Sequence, residues 1–339
     1  MKTTLIALLA AAGALQAPRS RASQPPRRGA VALDAALVPL PVAKALAAGP
    51  FGVPAMAAVG AAVLTPLTMY RQGYSFSVGY GAAVAAMGAA LYTAVPPATP
   101  VAKALAGATV FYGARLAFHL LARQVTVPDI AERIKAFDTT PRPKRLPLVA
   151  GVAVLYALMT SPLLFALRSA PAAPAVAWAG AAMAWAGALV EAWADAHKFV
   201  KKREAYASVA PGTFEGPMGG LYASCRHRAK PASCFAADFC WILCFVANYF
   251  GEVLFWFGLL VGGAPSFGSG AAALGPAIMG GLGFYAIYGI MAGATKRLDG
   301  KQREAYGGQP TFDAWVARTG GLFPRLGDAG AAGQTTYNV

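Results

Sequence analysis

Seven stretches of this chain, at about 51–69, 77–98, 101–122, 146–168, 172–193, 245–262 and 271–293, are apolar over close to the length a helix needs to cross a bilayer. That length is about 20 residues at a helical rise of about 1.5 Å. Lipid offers no partner to backbone N–H and C=O groups, so a continuous apolar run that enters it must satisfy them within itself, as a helix does. The spacing therefore predicts an all-α fold, a polytopic transmembrane helical bundle of about seven spans. Composition agrees: 57% of residues are hydrophobic and 13% charged, a balance that leaves too few charges to cover a soluble domain. The runs are dense in Ala and Gly, which lets helix backbones approach closely where lipid supplies no hydrophobic drive to pack.

The charges sit between the runs. A net charge of +15 raises the question of nucleic acid, but the basic residues occupy short loops and form no polar face with aromatic platforms, so no nucleic-acid partner is expected. Loop 123–145 carries Arg123, Arg133, Lys135, Arg142, Lys144 and Arg145, and loop 194–230 carries Lys198, Lys201, Lys202, Arg203, Arg226, Arg228 and Lys230. Two spans separate them, which puts both on one face, and the positive-inside rule makes it the cytosolic or stromal face. Membrane lipid is the implied surrounding. The first 128 residues hold a single acidic residue, Asp34. An apolar run from Leu5 to Leu15, followed by Arg19, Arg21, Arg27 and Arg28, predicts a cleavable signal or transit presequence over 1–33 and an ER or plastid membrane as destination. The cysteines, Cys225, Cys234, Cys240 and Cys244, form no zinc set with His119, His197 or His227, so neither a metal nor a disulfide framework is expected.

Several polar residues fall where they are costly. Glu252 lies inside the apolar Phe250-Gly-Glu-Val-Leu-Phe-Trp-Phe run, and an intramembrane carboxylate implies a partner or a polar cavity. Arg115 lies within a span, in a set with Tyr112 and Arg123, and calls either for a wet cavity or for a buried carboxylate. In Glu191-Ala-Trp-Ala-Asp195-Ala-His197-Lys198, Asp195 and Lys198 share a helical face at a membrane boundary. Arg226 and His227 follow Gly219-Gly220-Leu221-Tyr222 and could hold phosphate as charge-assisted donors. Lys296, Arg297, Lys301 and Arg303 mark an amphipathic exit from the last run, suited to lipid headgroups or an anionic ligand. Basic groups, a few carboxylates and tyrosines under apolar helices suit a cofactor that is anionic at one end, working on a lipid-soluble substrate at the other.

In their order these segments resemble a known family. Tyr112-Gly-Ala-Arg115-Leu-Ala, Ala194-Asp195-Ala-His197-Lys198-Phe199, Gly220-Leu221-Tyr222 with Arg226-His227, Asn248-Tyr249-Phe250-Gly251-Glu252 and Lys301-Gln-Arg303-Glu-Ala-Tyr306 are similar to the DUF1295 and steroid 5α-reductase C-terminal domain family, closest to plant and algal members, over about 101–326. The resemblance implies a helical membrane enzyme that binds NADPH from the cytosolic or stromal side. It reduces a carbon–carbon double bond conjugated to a carbonyl, in a lipophilic, steroid- or isoprenoid-like small molecule. By motif, Asp195, Lys198, Arg226, His227, Asn248, Tyr249, Glu252, Lys296 and Arg303 would line the cofactor pocket, with Tyr112, Tyr249 and Glu252 as candidate catalytic residues. His197 stands where the family commonly has Gln. Two alternatives share part of the signature: an S-adenosylmethionine-dependent isoprenylcysteine or phospholipid methyltransferase, and an inactive membrane scaffold.

The family motif is split. Arg226-His227 and Ala247-Asn248-Tyr249-Phe250-Gly251-Glu252 are separated by the nineteen residues Arg228 to Val246, which hold three of the four cysteines. With CGT for Arg228 and GTA for Val246, an in-frame intron fits the segment, and its removal writes Pro and restores Arg-His-Pro-Asn-Tyr-Phe-Gly-Glu. The hypothesis is a retained intron at 228–246, refuted if mature transcripts all carry the segment. The expected organisation is then a presequence at 1–33, an N-terminal transmembrane region at 34–100, the reductase-like membrane domain at 101–326 with its insertion, and a disordered tail at 327–339.

Overall fold

The computed structural model describes residues 51–97, 99–205, 247–310, 312, 313, 316 and 321–323. The predicted presequence, the insertion, the C-terminal tail, all four cysteines, Arg226 and His227 lie outside the described residues. Within them the fold is helical and without strands, as the apolar runs require: α1 (Val53–Tyr70), α2 (Val78–Ala94), α3 (Pro100–Thr126), the short α4 (Pro128–Ala136), α5 (Leu146–Arg168), α6 (Pro174–Ala205), α7 (Ala247–Gly263) and α8 (Ala271–Tyr306). Five described segments, which include α1, α3, α5, α6 and α8, are long and apolar enough to cross a membrane. The shorter α2 and α7 are apolar over 17 residues each.

Proline sets several of the starts. Pro100, Pro128 and Pro174 stand at the first helical position of α3, α4 and α6, where a missing N–H costs no hydrogen bond and a fixed φ is already helical. At α3 the Thr99 hydroxyl adds a cap, accepting from the Ala102 amide at 3.3 Å.

Small residues bring the helices together. A Cβ on Gly81 would lie 2.6 Å from the Ala117 amide, and one on Gly113 would lie 2.5 Å from that of Ala85, so α2 and α3 meet backbone to backbone. The α6–α7 pair is closer still at Gly180, Gly187 and Gly258, where a Cβ would run into the backbone of Gly262, Phe255 and Ala184, and a Cβ on Gly251 would lie 2.7 Å from the Glu191 amide. This is the packing that small-residue helix faces permit in lipid. Large apolar side chains such as Phe118, Leu189, Leu282 and Tyr285 are left exposed on the outside, where a bilayer would meet them.

The α6–α7 contacts also fix direction. Gly251 lies beside Glu191 and Gly262 beside Gly180, so the two helices are antiparallel, and α7 starts on the face where α6 ends. Consequently α8 runs its basic C-terminal end toward the same face as the loops around Arg123 and Lys198. On that face a polar knot ties α1 to the loop before α5. Arg71 bonds Asp138 at 2.8 Å, the Gln72 amide donates to Asp138 at 2.6 Å, and buried Arg145 donates to the Thr140 and Thr68 carbonyls at 2.7 and 2.8 Å. Burial pushes the Asp138 carboxyl up, but the hydrogen bonds from Arg71 and the Gln72 amide, with the charge of Arg145, outweigh it and hold the group below the usual carboxylate range.

Candidate functional site

The site is built from stripes of polar residues on three helices. On α3, Tyr112, Arg115, His119, Arg123 and Thr126 recur at spacings of three and four, so they lie on one face. Glu191, Asp195 and Lys198 do the same on α6, and Asn248, Glu252 and Trp256 on α7. Packing of α3 on α6 and of α6 on α7 brings the three stripes into one seam, running from the bundle interior to the basic face.

At the inner end is a hub centred on Tyr80 of α2. Its hydroxyl donates to Glu252 Oε1 at 2.9 Å, accepts from Trp256 Nε1 at 2.8 Å, and lies 3.0 Å from the Tyr112 hydroxyl. A tyrosine hydroxyl has one proton and two acceptor positions. Because the proton is used on Glu252, Tyr112 must be the donor in the third bond, giving a chain from Tyr112 to Tyr80 to Glu252. The surroundings are apolar and aromatic. The Tyr112 ring stacks on Phe255 at 3.9 Å and 7°, and the Tyr156 ring lies 4.8 Å from that of Tyr80. Tyr156 is itself anchored by donating to the Ser75 carbonyl at 2.7 Å.

One turn outward, Arg115 meets two carboxylates of α6, Glu191 at 2.9 Å and Asp195 at 2.8 Å. This settles the two alternatives for an intramembrane Arg in favour of buried carboxylate partners. The Asp195 contact is an aligned hydrogen bond; the Glu191 contact is an ion pair without that alignment. The seam is not saturated. Arg115 Nε, Glu191 Oε2 and Asn248 Oδ1 are buried and have no hydrogen-bond partner among the described residues. Counted with Glu252, three carboxylates face one guanidinium in the described seam.

At the outer end the seam opens into a cavity of about 410 Å³, lined by His119, Arg123 and Thr126 of α3, the start of α4 with Asp129 and Arg133, and Asp195, Lys198 and Phe199 of α6. His119 Nε2 stands 3.9 Å from Asp195 Oδ2, and its ring meets Phe199 edge to face at 5.9 Å.

The residues singled out from sequence therefore divide. Tyr112 and Glu252 join the hub, and Asp195 and Lys198 line the cavity. Asn248 and Tyr249 are half-buried at the start of α7, with Tyr249 outside the hydrogen-bonded hub. Lys296 is exposed on α8, and Arg303 on the same helix bonds Asp299 at 3.0 Å. The sequence reading passed over Tyr80 and Trp256, and did not place Glu191 among the site residues. Glu191 was signalled by its i, i+4 spacing to Asp195. Tyr80 carried a fainter mark in Gly79-Tyr80-Gly81, two glycines that let neighbouring backbone close around it. Among the described residues no group of three or more His, Cys, Asp or Glu is arranged to hold a metal.

No curated protein and no solved structure matches the chain. A family model does, over residues 74–319, a stretch that holds the hub, the ion-paired turn and the cavity. The chain is an integral membrane protein and belongs to the family described as protein of unknown function DUF1295, which is related to steroid 5α-reductase-like membrane proteins.

Proposed function

We propose that this protein is a membrane-embedded reductase that uses NADPH to reduce an enone-type carbon–carbon double bond in a lipophilic, steroid- or isoprenoid-like substrate, in the ER or plastid membrane. The observation that carries the reading is the Tyr112–Tyr80–Glu252 hydrogen-bond chain, buried among Phe255, Trp256 and Tyr156. Reduction of a conjugated double bond throws negative charge onto the carbonyl oxygen. Fixed O–H donors in a dry aromatic site stabilise that charge far better than water does. Tyr80 has one proton, so donating to a substrate oxygen means turning away from Glu252. Tyr112 and Trp256 then hold the Tyr80 oxygen in place as its proton leaves, and Glu252, once it has taken a proton from water, is placed to pass it back to Tyr80. Tyr80 is thus the oxyanion donor, with Tyr112 and Trp256 bracing its oxygen and Glu252 as the proton relay behind it.

The residues present suit a dinucleotide. It needs cations for its phosphates and donors and acceptors for its rings, and the seam offers Lys198 and Arg123 at the wet end with unpartnered Asn248 Oδ1 and Glu191 Oε2 further in. Asp195, Lys198, Asn248 and Tyr249 would hold it, together with Arg226 and His227 on the strength of the motif. Bound there, it supplies the hydride.

Equilibrium binding to the purified protein, followed by NADPH oxidation across a sterol and enone panel, tests the reading. Saturable NADPH binding and substrate-dependent oxidation are expected. Binding of S-adenosylmethionine in place of NADPH would assign the site to methyl transfer, and binding of neither, with no turnover, would leave a scaffold.

A further inference from the structure

On the reductase reading, the hub consumes a proton at every turnover. Reduction of a conjugated double bond adds one hydride and one proton, so the Tyr80 O–H bond that breaks has to be remade from outside. The hub itself is shut off from water: Tyr80, Tyr112, Glu252 and Trp256 are each less than a tenth exposed. The seam opens to solvent at its other end, in the cavity of about 410 Å³ that His119 and Asp195 help to line.

Carboxylates fill the stretch between these ends. Asp195 and Glu191 lie one turn apart on the same face of α6, and they are 7% and 2% exposed. Arg115 spans the pair, at 2.8 Å from Asp195 and 2.9 Å from Glu191, and Glu191 Oε2 is left without a hydrogen-bond partner among the described residues. Glu191 stands against α7 where a glycine lets the helix press in, since a Cβ on Gly251 would lie 2.9 Å from the Glu191 Cβ. Glu252 is the next residue of α7, and the charges of Glu191 and Glu252 act on each other and on Tyr80 and Tyr112. Glu191 therefore faces both the ion-paired turn and the hub. At the cavity wall His119 Nε2 is 3.9 Å from Asp195 Oδ2, a gap that a bridging water or a turn of the imidazole closes.

The same carboxylates have to hold a proton. Glu191, Asp195 and Glu252 share the charge of Arg115, and three ionised carboxylates around one guanidinium would leave negative charge uncompensated in a buried seam. A buried carboxyl group escapes that cost by taking up a proton. The other titratable or charged groups around the seam are His119, Arg123, Asp129, Arg133 and Lys198 at the cavity, where solvent screens them, and half-buried Tyr249 on α7. We propose that Glu191 is a proton relay, receiving protons from the cavity through Asp195, with His119 beside it as the donor at the cavity wall, and passing them to Glu252. Each transfer breaks one bond to hydrogen and makes another: Glu191 takes the proton from Asp195, Glu252 from Glu191, and Tyr80 from Glu252 as its own proton goes to the substrate oxygen. Arg115 keeps its protons and holds the two carboxylates of α6 in line. The use of the relay rests on the reductase reading, but the route is a property of the seam.

The test uses the full chain purified in detergent and has two arms. In the first, infrared spectra follow the C=O stretch of a protonated carboxyl group as the protein is moved from H2O to D2O at neutral pH. The wild type should show such a band, absent from the double variant Glu191→Gln/Glu252→Gln, and Asp195→Asn should slow its deuteration roughly 10-fold or more. In the second arm, Glu191→Gln, which keeps the shape of the side chain but carries no transferable proton, should lower kcat for enone reduction roughly 100-fold. KM and the NADPH Kd should stay within about threefold, and Glu191→Asp should restore part of the rate. The relay is overturned if the wild type has no such band, if Asp195→Asn deuterates as fast as the wild type, or if Glu191→Gln turns over as fast as an active wild type. A wild type that reduces no enone, but whose buried proton exchanges slowly in Asp195→Asn, sinks the reductase reading and leaves the relay standing. Should Asp195→Asn fail to fold, His119→Gln, outside the Arg115 ion pair, serves in its place with a smaller slowing in the same direction.

Discussion

Two polar clusters lie near the basic face, and they are finished to different degrees. In the knot at Arg71, Asp138 and Arg145, every Arg145 nitrogen has a partner and Asp138 meets two arginines and a backbone amide. Along the seam, one arginine faces Glu191 and Asp195, Glu252 leans on a tyrosine, and three buried polar atoms find no hydrogen-bond partner among the described residues. A cluster that only holds a fold together gains from saturation, since each orphaned buried group costs about 1–3 kcal/mol. Unspent capacity that persists in a buried cluster is what a binding or catalytic site requires before its ligand arrives.

The sharpest way to break the comparison is Arg115→Met. It leaves Glu191 and Asp195 buried without their cation, and a loss of about 3–5 kcal/mol is expected in unfolding followed by circular dichroism in detergent. If the seam tolerates this with no change, the ion pair is not buried as described. Tyr80→Phe comes next. It keeps the ring and removes the hub's central hydroxyl, and kcat for the proposed NADPH-dependent enone reduction should fall roughly 100- to 1000-fold, beyond the loss of about 1–3 kcal/mol in unfolding that orphaning its buried partners brings. A loss of stability without a selective loss of turnover would make the hub structural, like the knot. Third, Gly251→Val drives a side chain into the Glu191 backbone, and about 1–3 kcal/mol of destabilisation is expected, read from the same unfolding curves. The smallest effect belongs to the knot itself. The Asp138 carboxyl is held below its ordinary range, so its contribution is complete at pH above that range and is lost as pH falls through the lowered value. Melting measured across acidic pH should show this component in the wild type, and Asp138→Asn should remove it.

Much of the bundle was legible in the chain because lipid leaves a helix few alternatives. The seven runs predicted at 51–69 through 271–293 correspond to α1, α2, α3, α5, α6, α7 and α8, with most ends displaced by a few residues, while α6 and α8 run on past 193 and 293 to Ala205 and Tyr306. The site was legible only in part. Arg115 and Glu252 announced themselves as charges inside apolar runs, where an unpaired charge is expensive wherever it points, and Asp195 as a charge at the boundary of one. Tyr80 did not, since a tyrosine in an apolar helix costs little and its sequence neighbours do not reveal what its hydroxyl meets. Lys296 and Arg303 matched the motif in type and order, but their helix, α8, packs on α5 and α7, and Arg303 bonds Asp299 of the same helix.

By itself, then, the sequence determined an all-helical membrane bundle with its basic loops on one face and a few ionisable groups that had to find partners inside it. Hydrophobic length and the cost of charge in lipid are local properties, and they can be read without knowing which helix lies beside which. Only the tertiary structure decided the pairing: Arg115 with Glu191 and Asp195, Tyr80 with Glu252, and Arg123 with Arg133 around one cavity. Those meetings depend on glycine-lined contacts between helices far apart in the chain, where a few missing methyl groups set how closely two backbones approach and so which side chains can touch.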